Sequence, residues 1–294
     1  MSSPGTRHPA VAPPGTVRSD LRDLERAENF PVALRLLPAT LRQDLQAVYD
    51  VVRTIDDLGD ELPVTTEDGR TTALLDLADD LATVWTTGTP ERAVLSRLVP
   101  VVRRRALPPE PFQQLVQANL QDQQVSRYAS FRDLLDYCRL SAAPIGTLVL
   151  HLFDAVDPAR QRLSDQVCAG LQVVEHLQDV GEDRRAGRVY LPTEDLAAFG
   201  VPEDDLDAGT ASPALRRLVL HEADRVDDLL DAGGPLVASL HGWARPAVAG
   251  YLAGGRAAVD AVRRVHGDVL GQPARTRRRD VLAHLVRALA GGRR

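Results

Sequence analysis

The sequence predicts an all-helical, single-domain protein, and three observations support that fold class. Apolar residues recur at helical spacing through most of the chain, no stretch alternates convincingly with the period of a strand, and aromatic residues make up only 4% of the composition. With so few aromatics the core has to be built from leucine, valine and alanine, and leucine and alanine favour helices. The 294 residues are enough for one large domain or two ordinary ones, and no linker divides them.

The bulk composition excludes several classes of protein. A net charge of −6 gives no electrostatic footprint for nucleic acid. The cysteines Cys138 and Cys168 form no CxxC pair, so neither a disulfide scaffold nor a zinc site is expected, and a reducing cytoplasm fits. No stretch approaches the roughly 18 uninterrupted apolar residues that a transmembrane helix needs. We therefore expect a soluble, cytoplasmic protein.

The predicted elements follow one another along the chain in a simple order. Residues 1–19 are rich in proline, glycine, serine and threonine, and predict a disordered tail before a helical domain at 20–294. The irregular stretch 184–212 is long enough to predict a lid or a flexible segment. Helical spacing, interrupted by proline and glycine, predicts a first helix around 41–55 and further helices over 72–86, 92–104, 110–124, 131–154, 159–182, 213–232, 236–253, 256–270 and 279–289.

Two segments place a column of polar groups on one face of a predicted helix. In the first, YDVVRTIDDLGDE, the spacing i, i+4, i+7, i+11 aligns Tyr49, Arg53, Asp56 and Asp60. In the second, QVVEHLQDVGED, the spacing i, i+3, i+7, i+11 aligns Gln172, Glu175, Asp179 and Asp183. Burying such like charges costs several kcal/mol unless a cation pairs with them. Two columns that face each other would suit Mg²⁺ held between carboxylates and phosphate oxygens.

Acidic clusters by themselves are common in this chain. A third stripe is interpreted as a solvated face and consists of Asp224, Asp227, Asp228 and Asp231. The second column differs because a basic run, Arg184–Arg188, and then Tyr190 follow it. Arginines there could bind a diphosphate bidentately, or could simply favour a helix C-terminus, and both interpretations stay open.

Together these motifs resemble the squalene/phytoene synthase family of head-to-head prenyl synthases. Its first aspartate-rich motif, DDxxDE-like, corresponds to Asp56–Glu61, and its second, QxxNxxRDxxED followed by basic residues and a tyrosine, to Gln172–Tyr190. A middle motif, YCxxVAGxxG, corresponds to Tyr137–Gly146, which reads YCRLSAAPIG. The order and the separation of all three motifs fit, and the likeness spans about residues 21–290.

The resemblance implies a helical isoprenoid-synthase bundle with a central hydrophobic cavity and Mg²⁺-dependent chemistry on an isoprenoid diphosphate. It implies that the metal is held by Asp56, Asp60, Asp179 and Asp183. It implies diphosphate contacts from Arg53, Arg184, Arg188 and Tyr190. It implies catalytic roles for Tyr137, Tyr49 and Arg53. It also implies a substrate cavity lined by Asn29, Phe30, Ser141, Gly146, Gln172 and Glu175.

Departures from the family pattern bear on the reaction. The usual Ser-x-Ser-Phe element is here Ala27–Phe30, Glu175 replaces the usual asparagine, and Gln178 replaces the usual arginine. Within the family the sequence looks most like the hydroxysqualene synthases of the bacterial hopanoid pathway. That likeness implies conversion of presqualene diphosphate and water to hydroxysqualene and diphosphate, without a nicotinamide cofactor. The water could be placed by Asn29, Ser141 or Glu175.

Other functions stay open at this point. The same fold and metals could condense two prenyl diphosphates to presqualene diphosphate, squalene or phytoene, and this fold could bind NADPH although no GxGxxG fingerprint is present. From another class, the chain could be a non-catalytic assembly or interaction protein, although such relatives generally lose the metal-binding aspartates that this sequence retains. Partner enzymes of the pathway and the oligomeric state are not fixed by the sequence.

The basic C-terminal segment and the histidines are two further features of the sequence. The basic run Arg275–Arg279, followed by apolar residues to Leu289, predicts either peripheral contact with an anionic membrane surface or a last helix packed on the domain. Histidines such as His176 show no metal-ligand spacing and are interpreted as packed or solvated.

Overall fold

The computed structural model describes residues 37–60 and 67–291. The tail predicted at 1–19 and the predicted cavity residues Asn29 and Phe30 lie outside these ranges, and the side chain of Asp60 is not described either. Within them the chain is helical, with a single β-bridge between Arg127 and Val189. The predicted all-helical fold class is confirmed.

The helices of the described ranges fall into two groups in chain order. The first group is α1 (Ala39–Asp60), α2 (Glu67–Thr86), α3 (Ala93–Arg105), α4 (Glu110–Asp122), α5 (Phe131–Ser141) and α6 (Ala143–Leu152). The second is α7 (Pro158–Gln178), α8 (Val180–Arg185), α9 (Thr193–Phe199), a 3₁₀ helix (Glu203–Asp207), α10 (Pro213–Gly233), α11 (Pro235–Ser239), α12 (Ala244–Arg264) and α13 (Arg278–Gly291). None of these helices is both long and apolar enough to cross a membrane.

Several predicted boundaries were wrong for identifiable reasons. The helix predicted over 131–154 is two helices, because Pro144 in the first turn of α6 cannot donate a backbone hydrogen bond to the preceding turn. The helix predicted over 159–182 ends at Gln178, and Asp179, with φ −106° and ψ 13°, separates α7 from α8. The stretch predicted to be irregular at 184–212 contains α9 and the 3₁₀ helix.

Glycines misled the prediction for α12, which runs without interruption through Gly254 and Gly255. A Cβ on Gly255 would lie 2.7 Å from Leu171 Cδ2 of α7, so the glycine permits close packing of the two helices. The break lies at 240–243 instead, between α11 and α12.

Buried apolar side chains form two clusters that meet at α6. Helices α1 to α4 build one cluster, to which α6 adds Leu148 and Leu152. Helices α5, α7, α10 and α12 build the other, to which α6 adds Leu150. The first acidic segment lies on α1 and the second on α7 and α8. The two segments therefore belong to opposite sides of the seam between the clusters.

The aspartate stripe of α10 is more than a solvated face. Arg263 of α12 pairs with Asp224 and Asp227, and Arg256 pairs with Asp231. These ion pairs join α10 to α12 at the rear of the second cluster, so the earlier interpretation was incomplete.

A buried carboxyl pair joins α9 to α10. Asp195 and Glu222 both accept hydrogen bonds from Arg225, whose guanidinium lies 4.5 Å from the centroid of the Phe131 ring. One oxygen of each carboxyl group and a ring nitrogen of His221 lie within 4.8 Å of one another, yet Glu222 Oε2 has no hydrogen-bond partner in the described chain. Burial raises the pKa of Glu222 to about 8, and Asp195 adds to the effect against Arg225. At neutral pH Glu222 is therefore protonated and neutral, so that the positive charge of Arg225 matches the negative charge of Asp195.

We predict that Glu222 lowers stability as the pH rises from about 4.5 to about 8. In this window the unfolded chain releases the proton and the folded chain retains it, so the free energy of unfolding falls by up to ~1.4 kcal/mol per pH unit. Glu222→Gln should make the loss of stability between pH 5 and pH 8, measured by urea unfolding, smaller than in the wild type and leave only what Asp179 and Glu175 contribute, whereas the exposed control Glu91→Gln should retain the full loss. Equal slopes in all three proteins would contradict the assignment.

Candidate active site

A cavity of about 510 Å³ lies at the seam between the two clusters. From α1 it receives Tyr49, Arg53 and Asp56. From α7, α8 and the turn between them it receives Gln172, Glu175, Asp179 and Asp183. The segment after α8 adds Arg188 and Tyr190, and α5 adds Tyr137 and Ser141. The described residues of the two acidic columns thus line one and the same cavity.

On the α1 side, the acidic segment is fixed by α4. Asn119 Nδ2 donates a hydrogen bond of 3.2 Å to Asp56 Oδ1, and Gln123 Nε2 donates one of 3.1 Å to the Gly59 carbonyl. A Cβ on Gly59 would lie 2.1 Å from Asn119 Oδ1, so only glycine lets α4 approach α1 this closely. Arg53 Nε pairs with Asp57 Oδ1 at 2.7 Å on the same helix.

On the α7–α8 side, carboxylates crowd together with little compensation. Burial, followed by the charges of Glu175, Glu182 and Asp183, raises the pKa of Asp179 to about 6. Glu175 is exposed to the cavity yet enclosed by protein, and this desolvation raises its pKa as well. Asp183 Oδ2 is buried without a hydrogen-bond partner among the described residues, and His176 Nδ1 lies 3.5 Å from it. This end of the cavity has an excess of negative charge.

The residues present fit a divalent cation. Hard ions such as Mg²⁺ prefer carboxylate oxygens and usually keep waters or phosphate oxygens as further ligands. Asp183 has a buried oxygen without a hydrogen-bond partner among the described residues, and burial and neighbouring carboxylates raise the pKa of Asp179, as expected of carboxylates arranged to bind a cation.

An aromatic cluster forms the wall between the acidic groups and the second core. His176 stacks on Tyr190 with ring centroids 3.6 Å apart and planes 11° apart, and Tyr128 lies 5.3 Å from Tyr137. Tyr137 Oη donates a hydrogen bond of 2.7 Å to Asp122 Oδ2. Burial, followed by the charges of Tyr190 and Asp122, raises the pKa of Tyr137, so this group remains a phenol. His176 is packed, as expected, but it packs inside the cavity.

A second cavity of about 830 Å³ adjoins the first one. Both cavities are bordered by Ser141, Gln172, Glu175 and Tyr251, which therefore lie at their junction. The second cavity is walled by small residues of α12, by the segment 269–276 and by Gly146, where a Cβ would lie 2.3 Å from Ser164 Oγ. Asp179 also borders both cavities, and Glu182 and Arg185 of α8 line the second one, so the second cavity combines aliphatic side chains with charged groups on its α8 side.

The position of Arg184 differs from the sequence-based expectation that this residue contacts the diphosphate. Its guanidinium pairs with Asp207 at 2.7 Å and with Glu203, and it does not line either cavity. The break at Asp179 turns α8 relative to α7, so that Arg184 binds the 3₁₀ helix and Arg185 lines the second cavity instead.

Six further polar residues line the first cavity and were not predicted as site residues from the sequence. They are Arg42, Gln46, Asn119, Asp122, His176 and Tyr251. The i, i+3 spacing of Asn119 and Asp122 on α4 was an available signal, because it places both side chains on one helix face. Tyr251 gave no comparable signal.

Comparisons with known proteins match this architecture. The family described as squalene/phytoene synthase matches residues 25–280. The chain is similar to a hydroxysqualene synthase from Rhodopseudomonas palustris, with 36% identity over 229 residues and 76% of each chain covered. It is similar to a phytoene synthase from Mycobacterium bovis, with 34% identity over 218 residues, 73% of this chain and 70% of the relative covered. The crystal structure of squalene synthase HpnC from Alicyclobacillus acidocaldarius superposes with a TM-score of 0.76 at 36% identity, covering 84% of this chain and 93% of that one.

We predict that Arg188 and Arg184 differ in their effect on anion binding. Arg188→Gln should weaken the binding of inorganic diphosphate in the presence of Mg²⁺ by about tenfold, because a charge-assisted contact in the cavity is lost. Arg184→Gln should leave this affinity unchanged within about twofold and lower only the melting temperature, because its partners are Asp207 and Glu203. Calorimetric titration measures both affinities. Equal losses in the two variants would contradict the placement.

Proposed function

Because the chain belongs to the squalene/phytoene synthase family, we propose that it converts presqualene diphosphate and water to hydroxysqualene and diphosphate, in bacterial hopanoid biosynthesis. Its family and its relatives make it an isoprenoid synthase enzyme. The observation that carries the proposal is one cavity lined by the described residues of both acidic columns and joined to a larger cavity that has aliphatic side chains of α6, α7 and α12 in its wall. Such a space would hold a diphosphate at the charged end and isoprenoid chains beyond it. We expect the enzyme to act in the cytoplasm.

Mg²⁺ would be the cofactor, held by Asp56, Asp60, Asp179 and Asp183. When bound, it neutralises the negative charge that develops on the departing diphosphate. The crowding of Asp179 with Glu175, Glu182 and Asp183 supports this assignment, since such a group is stable only with a cation nearby.

The protein's own residues would bind and orient the leaving group. Arg53, Arg188 and Tyr190 line the charged end and would contact the diphosphate oxygens. The carbon–oxygen bond then breaks with its electron pair remaining on the diphosphate, which leaves a carbocation. Ring faces of Tyr49 and Tyr137 border the same space and would stabilise that positive charge. The hydrogen bond to Asp122 fixes the Tyr137 ring for this role.

Water capture would take place at the junction of the cavities. Ser141 and Glu175 border both spaces, so a water bonded to them would lie between the charged end and the hydrocarbon chains. Asn29, also proposed to place this water, lies outside the described residues. After rearrangement, the water oxygen bonds to the cationic carbon and its extra proton passes to a neighbouring oxygen, which gives the alcohol.

A second candidate is condensation of two prenyl diphosphates to presqualene diphosphate, squalene or phytoene. The size of the second cavity favours this condensation, because the two cavities together would accommodate two prenyl chains. The two candidates differ in substrate, and a reductive second step would also need NADPH.

We predict that the purified protein with Mg²⁺ consumes presqualene diphosphate without NADPH and releases hydroxysqualene, identified by mass spectrometry. Ser141→Ala and Glu175→Asn should each lower the ratio of alcohol to hydrocarbon products about tenfold, because the water that gives the alcohol loses a hydrogen-bond partner. Ser96→Ala and Glu91→Gln, which lie outside both cavities, serve as controls. Consumption of farnesyl diphosphate alone would instead support the condensation.

A further inference from the structure

The outer face of α13 is apolar and has no partner within the described chain. Leu282 is 60% exposed and Val286 is 59% exposed. Ala283 and Ala290 are exposed as well, and the four residues fall within an arc of about 100° on the helix. The adjoining face, which includes Leu285 and Leu289, packs against the second cluster. The helix is thus anchored on one side and leaves an apolar stripe outward.

Arginines border this stripe. Arg278 and Arg287 are exposed and lie on either side of it, roughly 40° beyond its two edges by helical geometry. Arg275 and Arg277 are exposed just before the helix begins. The acidic residue nearby, Asp280, already pairs with Arg264. On a chain with a net charge of −6, this face is locally cationic.

The stripe also lies next to the second cavity. The segment that leads into α13 provides one wall of that cavity, up to Arg275 and Thr276. At the other end of α13, Arg245 Nη2 donates a hydrogen bond of 2.9 Å to the Leu289 carbonyl. Trp243, two residues before Arg245, is 44% exposed. Tryptophan is enriched where proteins meet the interfacial region of a bilayer.

We propose that this face of α13, with Arg275, Arg277, Arg278 and Arg287, docks in the plane of an anionic lipid bilayer. An apolar stripe bordered by arginines is the pattern of helices that lie in the headgroup region, with apolar side chains among the acyl chains and guanidinium groups at the phosphates. Docking would bring the wall of the second cavity to the membrane surface. The identity of the hydrocarbon that crosses there rests on the proposed function, but the docking does not.

The test is co-sedimentation of the full chain with vesicles. Wild-type protein should bind phosphatidylcholine vesicles that contain phosphatidylglycerol, bind vesicles of phosphatidylcholine alone much more weakly, and dissociate as salt is raised. Each arginine near an anionic surface contributes about fivefold, so Arg277→Gln/Arg278→Gln/Arg287→Gln should weaken binding by roughly 100-fold. Leu282→Asp/Val286→Asp should abolish binding without unfolding the chain, because both side chains are already exposed.

Matched controls separate the face from a general effect of charge. Leu75→Asp/Val156→Asp introduces the same two charges at exposed apolar residues elsewhere, and Arg132→Gln/Arg162→Gln/Arg217→Gln removes three exposed arginines elsewhere. Equal loss of binding in these controls, or no preference for anionic vesicles, would overturn the proposal. So would a dimer in sedimentation velocity that Leu282→Asp dissociates, because a second copy would then cover the face.

Activity on detergent-dispersed substrate separates this proposal from the proposed function. The α13 variants should retain that activity. If the wild-type protein itself shows no such activity, the proposed function is refuted, but the result with vesicles still holds.

Discussion

Asp56 of α1 and the carboxylates of the α7–α8 junction border one cavity, and the crowding of like charges at that junction is the constraint on which the rest of the structure depends. Burial and neighbouring carboxylates raise the pKa of Asp179, and a buried oxygen of Asp183 has no hydrogen-bond partner among the described residues, so ionising this group costs free energy. A protein core normally avoids such a group or pairs it with arginine. Arg53 and Arg188 line the same cavity, whereas Arg184, the residue directly after Asp183, pairs with Glu203 and Asp207 on the 3₁₀ helix. The charge is thereby kept available for a ligand that carries cations.

The surrounding fold holds these carboxylates in place against that repulsion. Gly59 lets Asn119 of α4 reach Asp56, and the close approach at Gly255 brings α12 onto α7. Helix α6 contributes to both hydrophobic clusters, so the two halves that carry the acidic segments are fixed relative to each other. The Tyr137–Asp122 hydrogen bond and the stack of His176 on Tyr190 then set the wall between the charged end and the apolar space. The site is therefore a property of helix packing rather than of any single motif.

The sequence predicted the parts of this arrangement that depend on periodicity. Helical spacing placed Asp56 with Tyr49 and Asp179 with Gln172, and these side chains do border the same cavity. It failed where tertiary packing overrides local preference. Gly254 and Gly255 looked like a helix break but permit contact between helices, and the turn at Asp179 redirected Arg184. Asn119 and Asp122 share one face of α4 by their i, i+3 spacing, but only the packing of α4 turns that face to the cavity, and Tyr251 of α12 carried no sequence signal.

The central claim is that both acidic columns bind the same group of divalent cations. The most direct measurement is anomalous scattering from crystals of the protein grown with Mn²⁺ and inorganic diphosphate. If the two columns share their cations, anomalous peaks should lie about 2.2 Å from carboxylate oxygens of Asp56 on one side and of Asp179 and Asp183 on the other, with diphosphate between them. Peaks confined to one column, or found instead at Asp195 and Glu222, would contradict it.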